Sequence, residues 1–227
     1  MSGAQPAPLD PPGRIALQKV LDLLASEQAS VSSITDPERA WKVHVADSLS
    51  GLEVPALSEA TRIADIGSGA GFPGLVIAVA LPDAEVDLIE SVGRKCDFIQ
   101  RAIDAAGLAN AAVLNARSEE VAGGAKREAY DAVTARAVGR LSTLAELASP
   151  LLREGGTLVA WKGKLDEDEE AQLENAAAQL AMEPEAILHV GPYAGSKHRH
   201  LHVIRKTGPT PSDLPRRPGI AKKRPRG

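Results

Sequence analysis

Hydrophobic residues in the larger part of this chain fall into short strand-like runs that alternate with stretches of helical spacing. Strands are predicted near residues 61–66, 85–90, 111–114, 131–135, 156–161, 185–190 and 200–205, with helices between most of them. This alternation is typical of an α/β protein with a doubly wound sheet. The last two strands have little between them except residues 191–196, which are too few for a helical crossover, so these strands should pair antiparallel.

The residues before the first strand have a helical pattern. Residues 15–29 place apolar side chains at helical spacing, and Thr35-Asp36-Pro37-Glu38 carries the capping signal of a second helix running toward Leu49. The sequence predicts a single domain with an aliphatic core and two flexible ends. Its parts are a disordered start over 1–13, a helical extension over 14–60, an α/β core over 61–206 and a basic flexible tail over 207–227.

A glycine-rich turn follows the first predicted strand and leads into a helix. The segment reads Arg-Ile-Ala-Asp-Ile-Gly-Ser-Gly-Ala-Gly-Phe-Pro-Gly over residues 62–74. Its glycines allow the backbone to approach a ligand closely, and Pro73 suits a first helical turn, where a missing N–H costs nothing. The same residues match the G-x-G-x-x-G pattern of dinucleotide sites, so a nicotinamide or flavin cofactor remains open at this point.

Two acidic residues at the ends of neighbouring strands help to distinguish the cofactors. Asp65, just before the first glycine, would repel a diphosphate but attract the amino group of S-adenosylmethionine. Glu90 ends the next strand about 20 residues beyond the glycine turn, where a carboxylate can accept hydrogen bonds from both hydroxyls of a ribose. Ribose recognition suits either cofactor, so the preference for a methyl donor over NAD depends on Asp65.

The composition indicates one aliphatic core in a reducing compartment. The 227 residues are 44% hydrophobic but only 3% aromatic, which is enough to bury one full core. The single cysteine, Cys96, excludes an internal disulfide and a cysteine-built zinc site. No apolar run approaches the ~20 residues that span a bilayer, and the N-terminus lacks a signal-peptide pattern, so a cytoplasmic protein without membrane contact is expected.

Charge is distributed unevenly along the chain. The net charge is −4, yet residues 212–227 hold six basic residues against Asp213, so this segment carries +5 and the remainder −9. A basic, proline-rich terminus commonly contacts phosphates, although a merely solubilising tail is the alternative. By contrast, the acidic run over 166–170 suits the start of a helix and is expected to be solvated, without contact to a nucleic acid.

Other basic residues stand where a substrate should bind. Ligands of open α/β sheets bind beyond the carboxyl ends of the strands, and Arg136 and Lys162 each follow an apolar strand at that edge. A surface ion pair is the alternative role for both. Arg94 and Lys95 oppose the dipole at a helix start, which indicates either an anionic partner or a solvated face.

Five further segments occur with the glycine motif in the order found in one protein family. They are Asp36-Pro37-Glu38, His44-Val45-Ala46-Asp47-Ser48-Leu49, Glu90-Ser91-Val92-Gly93-Arg94-Lys95, Thr134-Ala135-Arg136-Ala137 and Arg199-His200-Leu201. Over roughly residues 14–206 the chain resembles the small-subunit rRNA guanine-N7 methyltransferase family RsmG, also called glucose-inhibited division protein B. It departs from the family at Ser30, where Asn is usual, and at His198 and His202, so these three residues receive no role.

The resemblance implies a class I S-adenosylmethionine-dependent methyltransferase fold. Such a fold has a Rossmann-like, mostly parallel seven-stranded sheet with an antiparallel last strand, here behind an N-terminal helical extension. The resemblance also implies S-adenosylmethionine as cofactor and N7 of a guanine in the decoding-region loop of 16S rRNA as methyl acceptor. The expected partner is 16S rRNA or the assembling small ribosomal subunit, and the expected oligomeric state is a monomer.

Residue roles follow from the motifs and the resemblance together. The predicted cofactor contacts are Asp65, Gly67, Gly69, Gly71, Phe72, Glu90, Ser91, Val92, Ser118, Glu119 and Arg136. Adenine should lie near Ser118 and Glu119, which without the resemblance could equally be a helix N-cap and an acidic first-turn residue. The predicted catalytic residues are Arg136, Lys162 and His44. The predicted RNA contacts are Arg94, Lys95, Lys162, Arg199, Arg216, Arg217, Lys222, Lys223 and Arg224.

The acceptor determines the expected mechanism. N7 of guanine carries an in-plane lone pair and no proton, so methyl transfer to it requires alignment and exclusion of water rather than a general base. His44 and Asp47 lie one helical turn apart and would shape the acceptor pocket, although a histidine near an aspartate on a helix is more often structural. Two functions of other classes remain alternatives: an NAD-dependent small-molecule oxidoreductase and a non-catalytic RNA-binding module.

A zinc site was the remaining chemical possibility in the sequence. His198, His200 and His202 alternate, which would place three imidazoles on one face of a strand. No fourth ligand is evident beside them, and the resembled family has a basic-His-Leu element here without metal. No metal is therefore predicted.

Overall fold

A computed structural model describes residues 9–27, 34 and 36–227, and a seven-stranded sheet forms its centre. The strands are β1 (Arg62–Ile66), β2 (Glu85–Glu90), β3 (Ala111–Asn115), β4 (Tyr130–Arg136), β5 (Leu152–Lys162), β6 (Met182–His189) and β7 (His200–Lys206). Across the sheet their order is β3-β2-β1-β4-β5-β7-β6. β1 to β5 pair in parallel, whereas β7 runs antiparallel to both β5 and β6. The predicted strands and the antiparallel pairing of the last two are confirmed.

The helices flank this sheet and precede it. They are α1 (Pro11–Ser26), α2 (Pro37–Ala40), α3 (Asp47–Leu49), α4 (Pro55–Ser58), α5 (Gly74–Ala80), α6 (Gly93–Ala106), α7 (Ser118–Ala122), α8 (Leu141–Ala148), α9 (Glu167–Ala177) and α10 (Ile220–Lys223). A π-helical turn occupies Trp41–Ala46, and 3-10 turns occupy Ser50–Glu53 and Ala178–Leu180. Within the described ranges, none of these helices combines the length and the apolar character that crossing a membrane requires.

The central strands are buried on both faces. In β1, Ile63 belongs to the hydrophobic cluster that includes Phe98 of α6, whereas Ile66 belongs to the cluster that includes Leu144 of α8. Successive side chains of a strand point to opposite faces, so a strand between two helix layers has a nearly continuous apolar sequence. The strand order reverses between β1 and β4, and this reversal opens a crevice at their carboxyl ends.

Residues 9–13 are more ordered than predicted. Residues 1–13 were expected to be disordered, but α1 begins at Pro11 and the Asp10 carboxylate accepts a hydrogen bond from the Gly13 N–H at 2.8 Å. This cap and the packing of α1 against α5 and α6 order residues 9–13, which composition does not reveal. The predictions for residues 1–8, Ser30 and Thr35 lie outside the described residues.

The second predicted helix is present but is not uniformly α-helical. The Asp36 carboxylate accepts a hydrogen bond from the Arg39 N–H at 2.7 Å and caps α2, as the Asp-Pro-Glu signal predicts. The π-helical turn then places His44 and Asp47 at the carboxyl edge of the sheet. Turns of this kind occur frequently at functional sites.

Residues 207–227, the C-terminal strap, do not form the predicted flexible tail. Leu214 and Ala221 are 3% and 2% exposed, and Leu214 joins the hydrophobic cluster around α8. The Arg127 guanidinium donates to the Leu214 carbonyl at 2.9 Å, and Thr207 N–H donates to the Ala181 carbonyl at 2.9 Å. Buried apolar residues and backbone hydrogen bonds thus fix a segment that its proline and charge content suggested would remain unfolded.

Candidate active site

The glycine turn places three glycines in backbone conformations that other residues rarely adopt. The φ angles are 65° at Gly67, 61° at Gly69 and 85° at Gly71. A Cβ on Gly67 would lie 2.7 Å from Cγ2 of Val138, and one on Gly71 would lie 2.4 Å from Cδ1 of Leu75. Gly69 differs, because only the Gly67 carbonyl oxygen comes within 4 Å of its Cβ position. The turn is therefore packed at both ends and open in the middle, where a ligand can approach its backbone.

Asp65 lies beneath this turn and is completely buried. Its Oδ1 accepts a hydrogen bond from the Thr134 hydroxyl at 2.9 Å, and its Oδ2 accepts one from the Gly74 N–H, the first residue of α5, at 3.2 Å. Burial raises its pKa to about 6, against the hydrogen bonds that favour the charged form. Asp65 lines neither cavity at this edge, so the structure does not show the predicted direct contact with the donor's amino group.

Glu90 connects the glycine turn to the loop after β2. Its Oε2 accepts a hydrogen bond from the Gly69 N–H at 3.0 Å, and its Oε1 accepts from the N–H groups of Ser91 and Val92 at 2.8 and 2.9 Å. Each carboxylate oxygen has two lone pairs, and Glu90 lines a cavity. It can therefore hold the loop geometry and still accept a hydrogen bond from a ligand hydroxyl.

The first cavity, called the cofactor cavity below, has a volume of about 350 Å³. It is formed by the carboxyl ends of β1 to β4, by α8 and by the C-terminal strap. Its lining residues are Gly67, Ile89, Glu90, Ser91, Ala116, Arg117, Ser118, Glu119, Val138, Thr143, Leu147, Gly219, Ala221, Lys222 and Lys223. The structure thus brings five predicted cofactor residues together: Gly67, Glu90, Ser91, Ser118 and Glu119. The other six, which are Asp65, Gly69, Gly71, Phe72, Val92 and Arg136, do not line it.

The segment after β3 forms the far end of the cofactor cavity. Helix α7 begins at Ser118, with Arg117 at the cap position and its N–H donating to the Glu120 carboxylate at 2.8 Å. The alternative role of Ser118 as a helix N-cap is therefore wrong. Its neighbour Glu119 accepts a hydrogen bond from the Gly219 N–H of the strap at 2.7 Å.

The second cavity, called the acceptor cavity below, has a volume of about 400 Å³. It lies beyond β4 and β5, and its lining residues are Val43, His44, Asp47, Arg136, Ala137, Trp161, Lys162, Gly163 and Arg199. All three predicted catalytic residues meet here, together with two predicted RNA contacts, Lys162 and Arg199. Consecutive residues after β4 line the two cavities, since Arg136 and Ala137 line the acceptor cavity and Val138 lines the cofactor cavity.

Asp47 organises the charges of the acceptor cavity. Arg136 Nη1 lies 3.0 Å from Asp47 Oδ2, and Arg199 Nε lies 3.2 Å from Asp47 Oδ1. The Arg136 guanidinium also donates to the Val43 carbonyl at 3.0 Å, and Trp161 Nε1 donates to the Asp47 carbonyl at 2.8 Å. One carboxylate thus holds two guanidinium groups, which leaves the cavity with a surplus positive charge.

An aromatic pair connects the glycine turn to the acceptor cavity. The ring of Phe72 stacks on His44 with centroids 4.6 Å apart, and the Arg136 guanidinium lies 5.9 Å from the Phe72 centroid. Burial, reinforced by the charge of Arg136, lowers the pKa of His44 to about 4. His44 is therefore a neutral imidazole at neutral pH, and Phe72, a predicted cofactor residue, contacts the acceptor side.

Lys162, predicted to contact the substrate, forms an ion pair and a hydrogen bond within the protein. Its Nζ lies 2.6 Å from Glu169 Oε1 and 3.1 Å from the Gly139 carbonyl. The same Glu169 oxygen accepts the N–H of Leu141, at the start of α8, at 2.7 Å. Glu169 is 8% exposed, so the prediction that residues 166–170 are solvated is wrong for this residue. A continuous acidic run does not reveal which of its residues is buried, because that depends on which side of the helix start faces the protein.

The remaining predicted RNA contacts separate into two groups. Arg216 has its guanidinium bound to the buried carboxylate of Glu146, so it is not a free phosphate contact. Arg94 is exposed and Lys95 half-buried at the start of α6. Exposed strap residues complete the second group: Arg217, Lys222, Lys223 and Arg224. Lys222 and Lys223 also line the cofactor cavity, which their position in a basic tail did not indicate.

The three alternating histidines do not share a strand. His198 precedes β7 in a left-handed conformation with φ 51°, whereas His200 opens β7 and its Nδ1 lies 2.7 Å from the Gly163 carbonyl. Burial lowers the pKa of His202 to about 4. Among residues 9–27, 34 and 36–227, no group of three or more His, Cys, Asp or Glu side chains is arranged to hold a metal ion.

Solved structures share this architecture. The fibrillarin pre-rRNA processing protein of Methanococcus jannaschii superposes with a TM-score of 0.55 at 16% identity, over 72% of this chain and 74% of that one. A mutant of MtNAS in complex with S-adenosylmethionine gives a TM-score of 0.57 at 10% identity, over 86% of this chain and 73% of that one. At such identities the likeness concerns the fold. The seven-stranded sheet, with its last strand antiparallel and helices on both faces, has the class I methyltransferase fold.

Sequence similarity then identifies the family. The model of the family described as "rRNA small subunit methyltransferase G" matches residues 16–201. Ribosomal RNA small subunit methyltransferase G of Rubrobacter xylanophilus is 44% identical over an alignment of 214 residues, which covers 92% of this chain and 82% of that protein. The chain belongs to the rRNA small subunit methyltransferase G family, so the predicted family is confirmed. The alternatives of an NAD-dependent oxidoreductase and a non-catalytic RNA-binding module are not supported.

Proposed function

We propose that this protein transfers a methyl group from S-adenosylmethionine to N7 of a guanine in the decoding-region loop of 16S rRNA. The observation that carries the proposal is the juxtaposition of the two cavities at one sheet edge. The turn Arg136–Ala137–Val138 lies between them, so a donor in one cavity and an acceptor base in the other would meet there. Family membership supplies the class of substrate.

The residues of the cofactor cavity fit S-adenosylmethionine. Glu90 lines the cavity, and because its carboxylate already accepts three backbone hydrogen bonds it has about one lone pair left for a ribose hydroxyl. Gly69, which donates to Glu90 but does not itself line the cavity, leaves the backbone of the turn open to a ligand. The cavity volume of about 350 Å³ lies within the usual range of small-molecule sites. When bound, S-adenosylmethionine supplies an electrophilic sulfonium methyl group. Ser118 and Glu119 also line the cavity, and we expect them to contact the adenine.

The acceptor cavity suits an electron-rich base attached to a phosphate backbone. Asp47 holds Arg136 and Arg199 in place, and their surplus positive charge attracts an anionic nucleic acid. The guanine edge that carries N7 also carries O6, a second acceptor that arginine commonly contacts. A guanidinium that donates to O6 or to a phosphate would orient the base and leave the N7 lone pair available for the methyl group.

Positioning rather than proton transfer should therefore supply the rate. N7 has no proton to remove, and burial holds the pKa of His44 at about 4, well below the value that suits a general base at neutral pH. A neutral His44 stacked on Phe72 instead forms a rigid wall at the end of the glycine turn. His44, Arg136 and Lys162 are then positioning groups, with Lys162 acting through Glu169 on the start of α8.

The target guanine must be accessible outside a regular helix. A-form RNA encloses N7 in a deep, narrow groove, so the base must lie in a loop or be extruded into the acceptor cavity. We infer that the enzyme acts as a monomer in the cytoplasm, on 16S rRNA or on the assembling small subunit. Exposed Arg217, Lys222, Lys223 and Arg224 on the strap extend a basic surface from the cavities for RNA phosphates.

The decisive experiment is transfer of labelled methyl groups to defined RNA. The protein is incubated with labelled S-adenosylmethionine and with either deproteinised 16S rRNA or small subunits that lack N7 methylation, and the label is mapped by nuclease digestion and mass measurement. One N7-methylguanosine in the decoding-region loop is expected in at least one substrate. Label on another atom, or no label on either substrate, would overturn the proposal.

A matched pair of variants tests the site within the same assay. Arg136→Ala removes a guanidinium from the acceptor cavity. The control, Arg205→Ala, removes an exposed guanidinium from the other end of β7, where Arg205 pairs with Thr157 of β5. Only Arg136→Ala should slow methyl transfer. Equal effects of the two changes would mean that overall positive charge, and not the acceptor cavity, governs the reaction.

A further inference from the structure

The C-terminal strap contributes a wall to the cofactor cavity. Gly219, Ala221, Lys222 and Lys223 all line it. The wall is bonded to the protein at the far end of the cavity, because the Gly219 N–H donates to the Glu119 carboxylate at 2.7 Å. Thr143 of α8 makes a longer contact to the strap, from its hydroxyl to the Ala221 carbonyl at 3.4 Å.

A buried ion pair anchors the strap just before this wall. Glu146 of α8 is 3% exposed, and its carboxylate accepts two hydrogen bonds from the Arg216 guanidinium, the one from Nε at 2.5 Å. The same guanidinium donates to the Arg224 carbonyl at 2.8 Å and so closes the strap on itself around α10. An unpaired carboxylate in this position would be costly, so Glu146 strongly favours the docked strap.

A second anchor fixes the beginning of the strap. Lys206 is fully buried, and its Nζ donates to Glu128 Oε1 at 2.8 Å, to the Leu152 carbonyl at 2.7 Å and to the Thr210 hydroxyl at 2.6 Å. Glu128 also accepts the N–H of Thr210 at 2.9 Å, and these bonds lower its pKa to about 2. The strap is thus tied down at both ends of its path toward the cofactor cavity.

We propose that the C-terminal strap is an integral part of the S-adenosylmethionine site, so that docking of the strap and binding of the cofactor stabilise one another. The proposal rests on the assignment of the cofactor cavity to S-adenosylmethionine. The strap encloses the end of the cavity where adenine should lie, and its Gly219 N–H sets the position of the Glu119 carboxylate. By linkage, a cofactor that binds the docked form more tightly must stabilise docking by the same factor.

Removal of the wall alone tests this coupling. A chain ending at residue 217 loses the lining residues but keeps Leu214 and the Arg216–Glu146 pair, and its cofactor affinity is compared with that of the full chain by calorimetry. Loss of a charge-assisted hydrogen bond and of an enclosing wall should weaken S-adenosylmethionine binding by about tenfold or more. Unchanged affinity in the shortened chain would overturn the proposal.

A point substitution covers the case in which the shortened chain does not fold. Gly219 has φ 81° and nothing within 4 Å of its Cβ position, so Gly219→Val strains the turn of the strap without a clash elsewhere. It should weaken cofactor binding, whereas Gly195→Val, at φ 83° with equally open surroundings in the loop before β7, should not. Equal affinities for the two variants would contradict the coupling.

Limited proteolysis tests the unaltered chain. Trypsin should cleave after the exposed Lys222 and Lys223 only when the strap leaves its site, so saturating S-adenosylmethionine should slow this cleavage by about the factor that the strap adds to affinity. Cleavage after the exposed Lys197, in the loop before β7, serves as the reference within the same digest. A strap cleavage rate that the cofactor leaves unchanged relative to this reference would refute the proposal.

These outcomes separate the strap from the proposed reaction. If the full chain binds S-adenosylmethionine and protects the strap but methylates no guanine, the proposed function fails and the strap inference stands. If the chain ending at residue 217 binds and turns over normally, the strap inference fails and the proposed function stands.

Discussion

The stability of this protein should decline in mild acid because His44 is buried as a neutral imidazole. Burial and the Arg136 charge lower the pKa of His44 to about 4, against about 6.5 in an unfolded chain. Between these values the unfolded state binds a proton that the folded state does not bind. The stabilisation is therefore fully present above pH 6.5 and is lost as the pH falls toward 4.

The size of the effect follows from the two pKa values. Between pH 7.5 and pH 5 they correspond to a loss of about 2 kcal/mol in the free energy of unfolding. Urea unfolding of the unaltered protein and of His44→Gln at both pH values isolates this contribution, because the lost Phe72 stacking affects the variant at either pH. The loss on acidification should be about 2 kcal/mol smaller in the variant.

A histidine control completes the experiment. His189 is an exposed residue of β6, and His189→Gln should retain the pH dependence of the unaltered protein. If His44→Gln and the unaltered protein lose the same free energy on acidification, His44 is not held neutral by its surroundings. The assignment of the acceptor cavity as a site without a titrating base would then lose its physical support.

The same pKa has a consequence for turnover. With RNA and cofactor saturating, the single-turnover rate of methyl transfer should stay level as the pH falls from 8 to 6, since the pKa of His44, about 4, lies below this range. A titration of the chemical step that disappears in His44→Gln would make His44 an acid–base residue.

Three further predictions concern named contacts. Glu90→Ala should weaken S-adenosylmethionine binding by about tenfold in calorimetry through lost ribose and loop contacts, whereas NAD should not bind the unaltered protein at all. Arg136→Ala should lower the rate of single-turnover methylation by a factor on the order of 10² to 10³. The affinity for S-adenosylmethionine should stay nearly unchanged, because Arg136 lines the acceptor cavity, and a large loss of that affinity would contradict this assignment. Lys162→Ala should lower the free energy of unfolding by about 3 kcal/mol, because it leaves the Glu169 carboxylate without its ion-pair partner. In chemical denaturation, the double variant Lys162→Ala, Glu169→Gln should recover part of this loss, and strictly additive effects of the two substitutions would contradict a direct pair.

The fold and the centre of the cofactor site were accessible from local sequence. Strands buried on both faces read as apolar runs, and the glycine turn with Glu90 about 20 residues further on has a spacing that a βαβ unit imposes. The carboxyl ends of β4 and β5 bear Arg136 and Lys162, so their presence at the functional edge also followed from pattern. These features depend on neighbours in sequence or on the geometry of regular elements.

The tertiary structure alone decided which charges are available. Arg216 is 70 positions from its partner Glu146, and Gly219 is 100 positions from Glu119, so no local pattern marks either contact. Composition indicated a free basic tail, whereas the buried carboxylate on α8 holds that tail against the cofactor cavity.

Asp65 shows the same division at a single residue. The sequence by itself determined that a carboxylate stands before the glycine turn, and its charge favoured a methyl donor. Only the tertiary structure decided that this carboxylate faces inward to Thr134 and the start of α5. The sequence of a strand predicts which residues are polar and how they alternate. Which donors form hydrogen bonds with a buried carboxylate depends on the other elements that pack around it.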